Sequence, residues 1–342
     1  MTQQAKKDIA IEEVTQYLVT ALTSIEVEAE NAKAIVDIMI DSELRGHSDH
    51  GIFTITSLFN WHLKDGMNPN PKPQIIKETP VLVSIDGDAG CGVIAMNLAV
   101  SKVIEKAKSS GLAAASVTNT GNPIALAAYA NAIAEAGLLG FVCTGSPNVV
   151  MPPPGGLTQT MGTNPLAFAA PAGEHDPFIL DMSTSAMAGV KIYQAALNGD
   201  RIDAGLIEDK DGNSLVNPAN FVLGESLILP LAGAKGYGLA SMVNILTSAL
   251  TDDVRGHFLW ALDLSQIVEP EAYNERMQAI ISRTKSARKR DGVEEIFYAG
   301  ERSQRQKRAA LTKGSITLRD ITWEAIKQIS EYAKIPLPKT LN

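Results

Sequence analysis

The chain has 342 residues, a formal net charge of −8 and an isoelectric point near 5.3. It is long enough for two domains with an ample core, and too acidic for nucleic acid or an anionic membrane to be its main partner. Its two cysteines, Cys91 and Cys143, lie far apart in apolar, glycine-flanked sequence, which excludes a disulfide framework and points to buried thiols in a reducing compartment. No apolar run follows the charged residues at the start, and none approaches the roughly 18 apolar residues of a membrane span, so neither signal peptide nor span is expected and a cytoplasmic location is.

In chain order, Asp8 is placed to cap a helix carrying Ile11, Val14, Leu18 and Leu22 at helical spacing, and Ser24 to cap a second carrying Ala32, Ile35, Met39 and Leu44. The second runs into Arg45-Gly46-His47-Ser48-Asp49-His50-Gly51, where two of the five histidines stand three apart between glycines. Imidazole both gives and takes protons near neutrality, so this corner is a candidate proton donor, weighed against the plainer reading of a polar turn between helices. A third apolar segment with Ile52, Ile55, Leu58 and Phe59 stops at Lys64-Asp65-Gly66, and the proline-rich residues 68–73 close a small helical unit.

Residues 81–85 read as a strand, with Gly87, Gly90 and Gly92 turning the chain into a helix over 94–109. A strand over 113–117, a helix over 124–136 and a strand over 139–143 follow, an alternation that implies an α/β sheet with helices packed on it. Residues 109–173 contain a single charged residue, Glu135, so this region must be largely internal or covered by a second copy of the chain; a homo-oligomer is favoured. Residues 178–181 read as a strand leading through Ser183, Thr184 and Ser185 into a helix. Leu227-Ile228-Leu229-Pro230 leads to Gly233-Ala234-Lys235-Gly236-Tyr237-Gly238 and an apolar helix over 239–250, then a strand over 257–262. The basic concentrations at 283–290 and 302–308 read as solvated helix faces, and a helix over 322–333 returns toward the N-terminal unit.

A Rossmann domain is not expected. The glycines after the first strand are spaced the wrong way round for a dinucleotide fingerprint, and the second strand ends in Thr118-Asn119-Thr120 with no acid for a ribose. Phosphate has two other candidate sites. Residues 183–185, read as a helix start, offer N–H groups and hydroxyls, and Lys235 stands among glycines at another helix start; each alone is more often an ordinary cap. His47, His50 and Asp49 lack a further metal ligand at recognisable spacing, and no serine or cysteine stands in a nucleophile's setting.

With these pieces placed, the chain resembles the malate/L-lactate dehydrogenase family of nicotinamide-dependent oxidoreductases, which is unrelated to Rossmann lactate dehydrogenases. The family includes ureidoglycolate, sulfolactate, diketogulonate and Δ1-piperideine-2-carboxylate oxidoreductases. The carriers, in register over about residues 8–335, are residues 45–51, Gly162-Thr163-Asn164-Pro165-Leu166-Ala167-Phe168, Asp181-Met182-Ser183-Thr184-Ser185, and residues 229–238. The resemblance implies a non-Rossmann α/β nucleotide-binding sheet domain over 76–309 and a helical domain made from both chain ends, 1–75 with about 310–342. It implies a homodimer with the active site near the subunit interface, and reversible hydride transfer between NAD or NADP and a 2-oxo or cyclic 2-imino carboxylate. His50 matches the histidine usually given the proton-donor role. Asp181, Met182, Ser183, Thr184, Ser185, Lys235, Gly300, Glu301 and Arg302 match cofactor-contacting stretches, and Ser146 a further contact in some members.

Three polar positions depart from the family pattern. Asp49 stands where members usually have serine, Thr54 where they usually carry a carboxylate-gripping arginine, and Asn122 where some carry a second histidine. The glycine-rich stretch expected after the 239–250 helix is also short. Lys191, where relatives also tend to have lysine, is then the candidate to hold the substrate carboxylate, and Asn122 to donate to a developing oxyanion. Asp49 is not expected to touch His50, because neighbours on a helix point apart, although its charge favours the imidazolium form. The favoured reading is an active oxidoreductase with an altered substrate; the alternative is a cofactor-binding relative that has lost the chemistry and serves as a scaffold.

Overall fold

The computed structural model describes residues 7–341. The chain opens with strand β1 (Lys7–Ala10) and helices α1 (Ile11–Thr23), α2 (Ala29–Leu44) and α3 (Ile55–Asp65). The sheet region follows as β2 (Gln74–Glu78), β3 (Leu82–Gly90), α4 (Gly92–Ser110), β4 (Leu112–Thr120), α5 (Leu126–Glu135), β5 (Leu139–Thr144), β6 (Leu166–Ala170), β7 (Phe178–Met182) and α6 (Gly189–Asn198). The short strands β8 (Ile207–Glu208) and β9 (Leu227–Ile228) pair with each other, and α7 (Ala234–Asn244), β10 (His257–Leu262), α8 (Pro270–Lys285), α9 (Glu301–Lys313), β11 (Ser315–Leu318) and α10 (Asp320–Ala333) complete the order.

Both expected caps at the N-terminus are corrected. Asp8 lies inside β1, where its carboxylate holds Lys313 and Thr317 across the pairing with β11, and Ala10 precedes α1 with no side-chain cap. Ser24 ends α1 instead of starting α2, its hydroxyl donating to the Ala21 carbonyl at 2.6 Å. The antiparallel β1–β11 pair joins the two ends of the chain. Behind it one core combines Leu18, Leu22, Ile35 and Met39 with Ile316, Ile326 and Ile329, and Tyr17 donates its buried hydroxyl to the Ile326 carbonyl at 2.8 Å. That core also takes in Cys91, Val93 and Ile124, so the helical unit is packed directly onto the start of α4.

The main sheet has seven strands in the order β2-β3-β4-β10-β5-β6-β7, and only β3 and β4 run parallel. Its late strand β10 inserts between β4 and β5, a topology unlike the Rossmann order. The region almost free of charge supplies β4, α5, β5 and β6, whose inward faces are buried, and a more exposed connection over 147–160 in which Val149 and Leu157 reach solvent. Ala113, Ala115, Val117, Val142, Ala167 and Ala169 form one buried sheet face, small enough for α4 and α5 to lie close against it. β3 runs on through Gly90, past the glycine turn expected at residue 87, because Asp88 and Ala89 adopt positive φ and bulge the strand. Among the described residues no helix is long and apolar enough to cross a membrane.

His257 heads β10 in the middle of this sheet. It is 1% exposed, its Nδ1 lies 2.6 Å from the Thr144 hydroxyl, and burial pushes its imidazole down to about 4. The unfolded chain therefore binds a proton here that the fold refuses between about pH 6.5 and 4. Stability is full above that window and is lost as pH falls through it, by roughly 3 kcal/mol from this residue. Urea midpoints measured from pH 7 to 4 are expected to fall, and His257→Asn to flatten that dependence.

Candidate active site

The histidine corner is held from three sides. Arg45 at the end of α2 is buried and its Nε meets Asp41 at 2.6 Å, while Lys307 reaches the same carboxylate from α9 at 2.6 Å. Glu43, 7% exposed, accepts the Ile52 N–H at 3.0 Å across the corner. Gly51 permits that approach, since a Cβ there would lie 2.1 Å from Glu43 Oε2. The chain leaves α2 before this closure, at Gly46 with φ +81, where the His47 N–H returns to the Ser42 carbonyl at 2.9 Å, so residues 45–51 form successive turns and not a helical continuation. The expectation that Asp49 and His50 stay apart is overturned for this reason: off the helix their side chains meet, Asp49 Oδ1 lying 3.4 Å from His50 Nδ1.

The corner faces the end of β7 and the start of α6. His50 is 46% exposed, and its ring senses the charges of Asp49, Asp181 and Lys191. The surrounding protein pulls the imidazole down, but the Asp49 contact and charge, then Asp181, outweigh it and hold the ring above its ordinary value. Burial likewise pushes the Asp49 carboxyl up, and its contact with His50, the charge of His50 and that of Lys191 bring it down to about 2. Asp181 is open to solvent yet crowded by protein, as the wall of a cleft is. Crowding lifts its carboxyl, opposed by the Ala127 N–H that it accepts at 2.8 Å from the first turn of α5. His47, nearby, is pushed down chiefly by desolvation. Asp181 was matched to a cofactor stretch by sequence, and the structure places it beside the two histidines.

Asn122 lies exposed in the loop entering α5. Its Oδ1 accepts the Ile124 N–H at 2.8 Å, leaving the amide NH2 with no partner among the described residues. Thr54 turns its hydroxyl back to the Gly51 carbonyl at 2.7 Å. Lys191 is exposed on the first turn of α6.

A second group of motif residues is stitched together alongside. Thr184, fully buried, donates to the carbonyls of Thr163 and Asn164, and its own carbonyl accepts from Leu231 N–H at 2.9 Å. Asn164, 1% exposed, spans the gap: its Oδ1 accepts from Ser146 N–H at 3.3 Å and its Nδ2 donates to the Ala240 carbonyl of α7 at 3.0 Å. Asn164 and Glu43 are buried polar groups that sequence alone does not single out: Asn164 stands inside a longer motif, and Glu43 lies among Asp41, Ser42 and Arg45 with nothing to mark it from a solvated face. Residues 183–185 do not start a helix, as was expected; α6 begins at Gly189, because Ser185 and Ala186 are tied to Pro230 and Leu229. Ser183 is half-buried beside that seam, and Met182 packs against Cys143, Leu166 and Val243.

Lys235 does stand at a helix start, exposed on the first turn of α7, with Gly233 before it at φ +64 and open space around it. Gly300 abuts β7, where a Cβ would lie 2.9 Å from the Ile179 nitrogen. Glu301 is not a free acid: it is buried against Lys285 and 3.3 Å from Arg305, while Arg302 is exposed. The basic stretch at 302–308 is likewise more than a solvated face, since Arg305 grips Glu295 at 2.7 and 2.8 Å and Arg308 pairs with Asp176.

The mixed sheet lies outside the Rossmann class, and an accessible imidazole beside Asp49, under the charge of Asp181 at the end of its edge strand, is set for proton transfer. The malate/L-lactate dehydrogenase family model matches residues 9–327, and the chain belongs to that family of nicotinamide-dependent dehydrogenases. It is 30% identical over 339 residues to malate dehydrogenase of Pyrococcus horikoshii, covering 93% of this chain and 92% of that one. It is 32% identical over 234 residues to Delta(1)-pyrroline-2-carboxylate/Delta(1)-piperideine-2-carboxylate reductase of Pseudomonas putida, covering 68% and 67%. Its structure is similar to the crystal structure of malate dehydrogenase from Entamoeba histolytica, with a TM-score of 0.92, 25% identity, and coverage of 98% and 100%.

The closure over Gly51 predicts that Gly51→Ala, by driving a methyl against a buried carboxylate, lowers stability by about 1–3 kcal/mol, read as a lower urea midpoint with an unchanged slope.

Proposed function

We propose that the chain reduces a 2-oxo acid or a cyclic 2-imino acid with NADH or NADPH, His50 donating the proton. The observation that carries this reading is the accessible His50 ring, flanked by Asp49 and facing Asp181 and Lys191. In the reduction a hydride goes to the carbon and a proton to the oxygen or nitrogen it leaves behind; a raised imidazole pKa keeps that proton available near neutrality. Lys191 holds the substrate carboxylate, and the free NH2 of Asn122 donates to the oxygen as charge develops on it.

The residues present fit a nicotinamide dinucleotide. Lys235 forms no ion pair among the described residues, and it stands at the positive end of an 11-residue helix where Gly233 leaves the backbone open, a setting suited to a phosphate. By their match to cofactor-contacting stretches, Ser146, Asp181, Met182, Ser183, Thr184, Ser185, Gly300, Glu301 and Arg302 are the further candidates to contact the dinucleotide, with exposed Arg302 the candidate for a 2′-phosphate. When bound, the nicotinamide supplies the hydride. The names of the relatives support both an oxo-acid and a cyclic imino-acid substrate. No feature of the cleft favours the scaffold alternative.

The reading extends to the assembly. The sheet region over 76–309 serves as the cofactor domain and the two chain ends, 1–75 with about 310–342, as the helical one. Leu239, Met242, Ile245 and Leu250 form an exposed apolar stripe on α7 and its continuation, which supports a homodimer covering that face. Two free, buried cysteines support a reducing, cytoplasmic setting.

The decisive experiment follows nicotinamide absorbance with a panel of 2-oxo acids, with and without amines. His50→Ala is expected to lower turnover about 10²- to 10⁴-fold while leaving nicotinamide nucleotide affinity nearly intact. An unchanged rate removes His50 from the role. Lys235→Ala is expected to do the converse, weakening nucleotide binding about tenfold by fluorescence titration, with little effect on turnover at saturation.

A further inference from the structure

We propose that Asp49 is the positioning residue for His50: it engages Nδ1, leaves Nε2 as the nitrogen that donates, and turns the cleft against substrates bearing a second anionic group. The proposal rests on the reading of His50 as proton donor and adds a residue that stands where the family usually has serine.

The geometry is specific. The Asp49 side chain is only 13% exposed, whereas the His50 side chain is 46% exposed, so the pair has a fixed partner on one side and an open ring on the other. The Oδ1–Nδ1 separation of 3.4 Å is long for a hydrogen bond but within ion-pair reach, a contact that acts on the ring chiefly by charge. Among the described residues no other group hydrogen-bonds the imidazole, so Nε2 is left for a ligand. A carboxylate on one ring nitrogen fixes which nitrogen faces the reacting atoms and stabilises the imidazolium. Serine at residue 49 would supply a hydroxyl without the charge.

Four titratable groups influence His50 from the elements around it: Asp49 and His47 in its own corner, Asp181 at the end of β7, and Lys191 on α6. His47 is pushed toward its neutral form, so the fixed charges around the ring are two carboxylates against one ammonium. Protonated His50 brings that balance to zero, enough to accept one substrate carboxylate near Lys191. A second anionic group would meet Asp49 or Asp181 with no further cation among these groups to answer it, and Thr54 spends its hydroxyl on the Gly51 carbonyl. The favoured substrates are therefore 2-oxo or 2-imino acids with a single carboxylate.

The test uses the full chain with ring-labelled histidine and follows His50 by NMR against pH, its signal assigned by its loss in His50→Gln. Asp49→Asn keeps the shape and removes the charge. Its His50 midpoint is expected to fall by about one pH unit or more, with Asp49→Glu restoring most of it. An unmoved midpoint overturns the proposal. In turnover, the alkaline limb of kcat/KM is expected to move down with that midpoint in Asp49→Asn. The ratio of kcat/KM for a 2-oxo dicarboxylate over a 2-oxo monocarboxylate is expected to rise about tenfold, and a constant ratio overturns the charge selection. If the midpoint moves while neither protein turns over any 2-oxo or 2-imino acid, the hydride-transfer reading falls and the Asp49–His50 coupling stands.

Discussion

A buried carboxylate closes the corner that carries His47, Asp49 and His50. Glu43 is the last acid of α2, and its bond from the Ile52 N–H bridges nine residues at the point where the chain must reverse. Burial pushes its carboxyl up, and the Ser48 hydroxyl, the Ile52 N–H and the charge of Arg319 act against that. A hydrogen bond to a charged acceptor contributes about 1.5–3 kcal/mol, and more is lost when its partner is left buried and unpaired. The turn is tightened again by His50 N–H to the His47 carbonyl at 2.9 Å and by Thr54 to Gly51. Two histidines and an aspartate are thus held in a segment that would otherwise move with a surface loop.

What that corner faces is decided by a single edge strand. β7 is the last strand of the sheet, and its free side is covered where Ile179 N–H donates to the Ala299 carbonyl at 3.0 Å, with Gly300 packed against the strand. Covering the edge removes an unpaired ladder and seats residues more than a hundred positions apart against one short strand. From its end the chain passes Asp181 to the histidines and the α5 N-terminus, then runs into the seam with residues 229–231. The histidine corner and the helix start at Lys235 are therefore linked through one hydrogen-bonded backbone path.

The sequence was most readable where period and composition act locally. β10 was read with its observed bounds, and α2, α3, α4, α5 and α10 within a few residues, because apolar spacing and glycine stops decide such elements. The caps failed where a longer-range partner claimed the polar side chain: Asp8 is used by Lys313 and Thr317 from the other end of the chain. Residues 183–185 looked like a helix start because hydroxyls after a strand usually are one, yet tertiary hydrogen bonds to residues 163, 164 and 229–231 hold them as a seam. The contact between Asp49 and His50 depends on the chain leaving the helix at Gly46, whose φ of +81 and return bond from the His47 N–H to Ser42 end α2 before residue 49 is reached. Motif residues announced which stretches matter; which of them line the cleft and which brace it depended on contacts between distant segments.

The departures at Thr54 and Asn122 share one physical cause with the way their side chains are used. Both are short and polar, and both bond to backbone within three residues: Thr54 to the Gly51 carbonyl, Asn122 to the Ile124 N–H. Side chains spent on local turns do not reach a ligand with the fork of a guanidinium. Under the reading proposed, the carboxylate then falls to Lys191, whose ammonium is a point charge on a flexible stem. A point charge fixes where a carboxylate sits but not how the molecule is rotated about it, whereas a bidentate arginine fixes both. Under that reading, orientation of the reacting carbon falls to the ring of His50 and the NH2 of Asn122, each on a turn closed by its own hydrogen bonds. On the same reading the closed histidine corner supplies the orientation that a point charge on Lys191 leaves open.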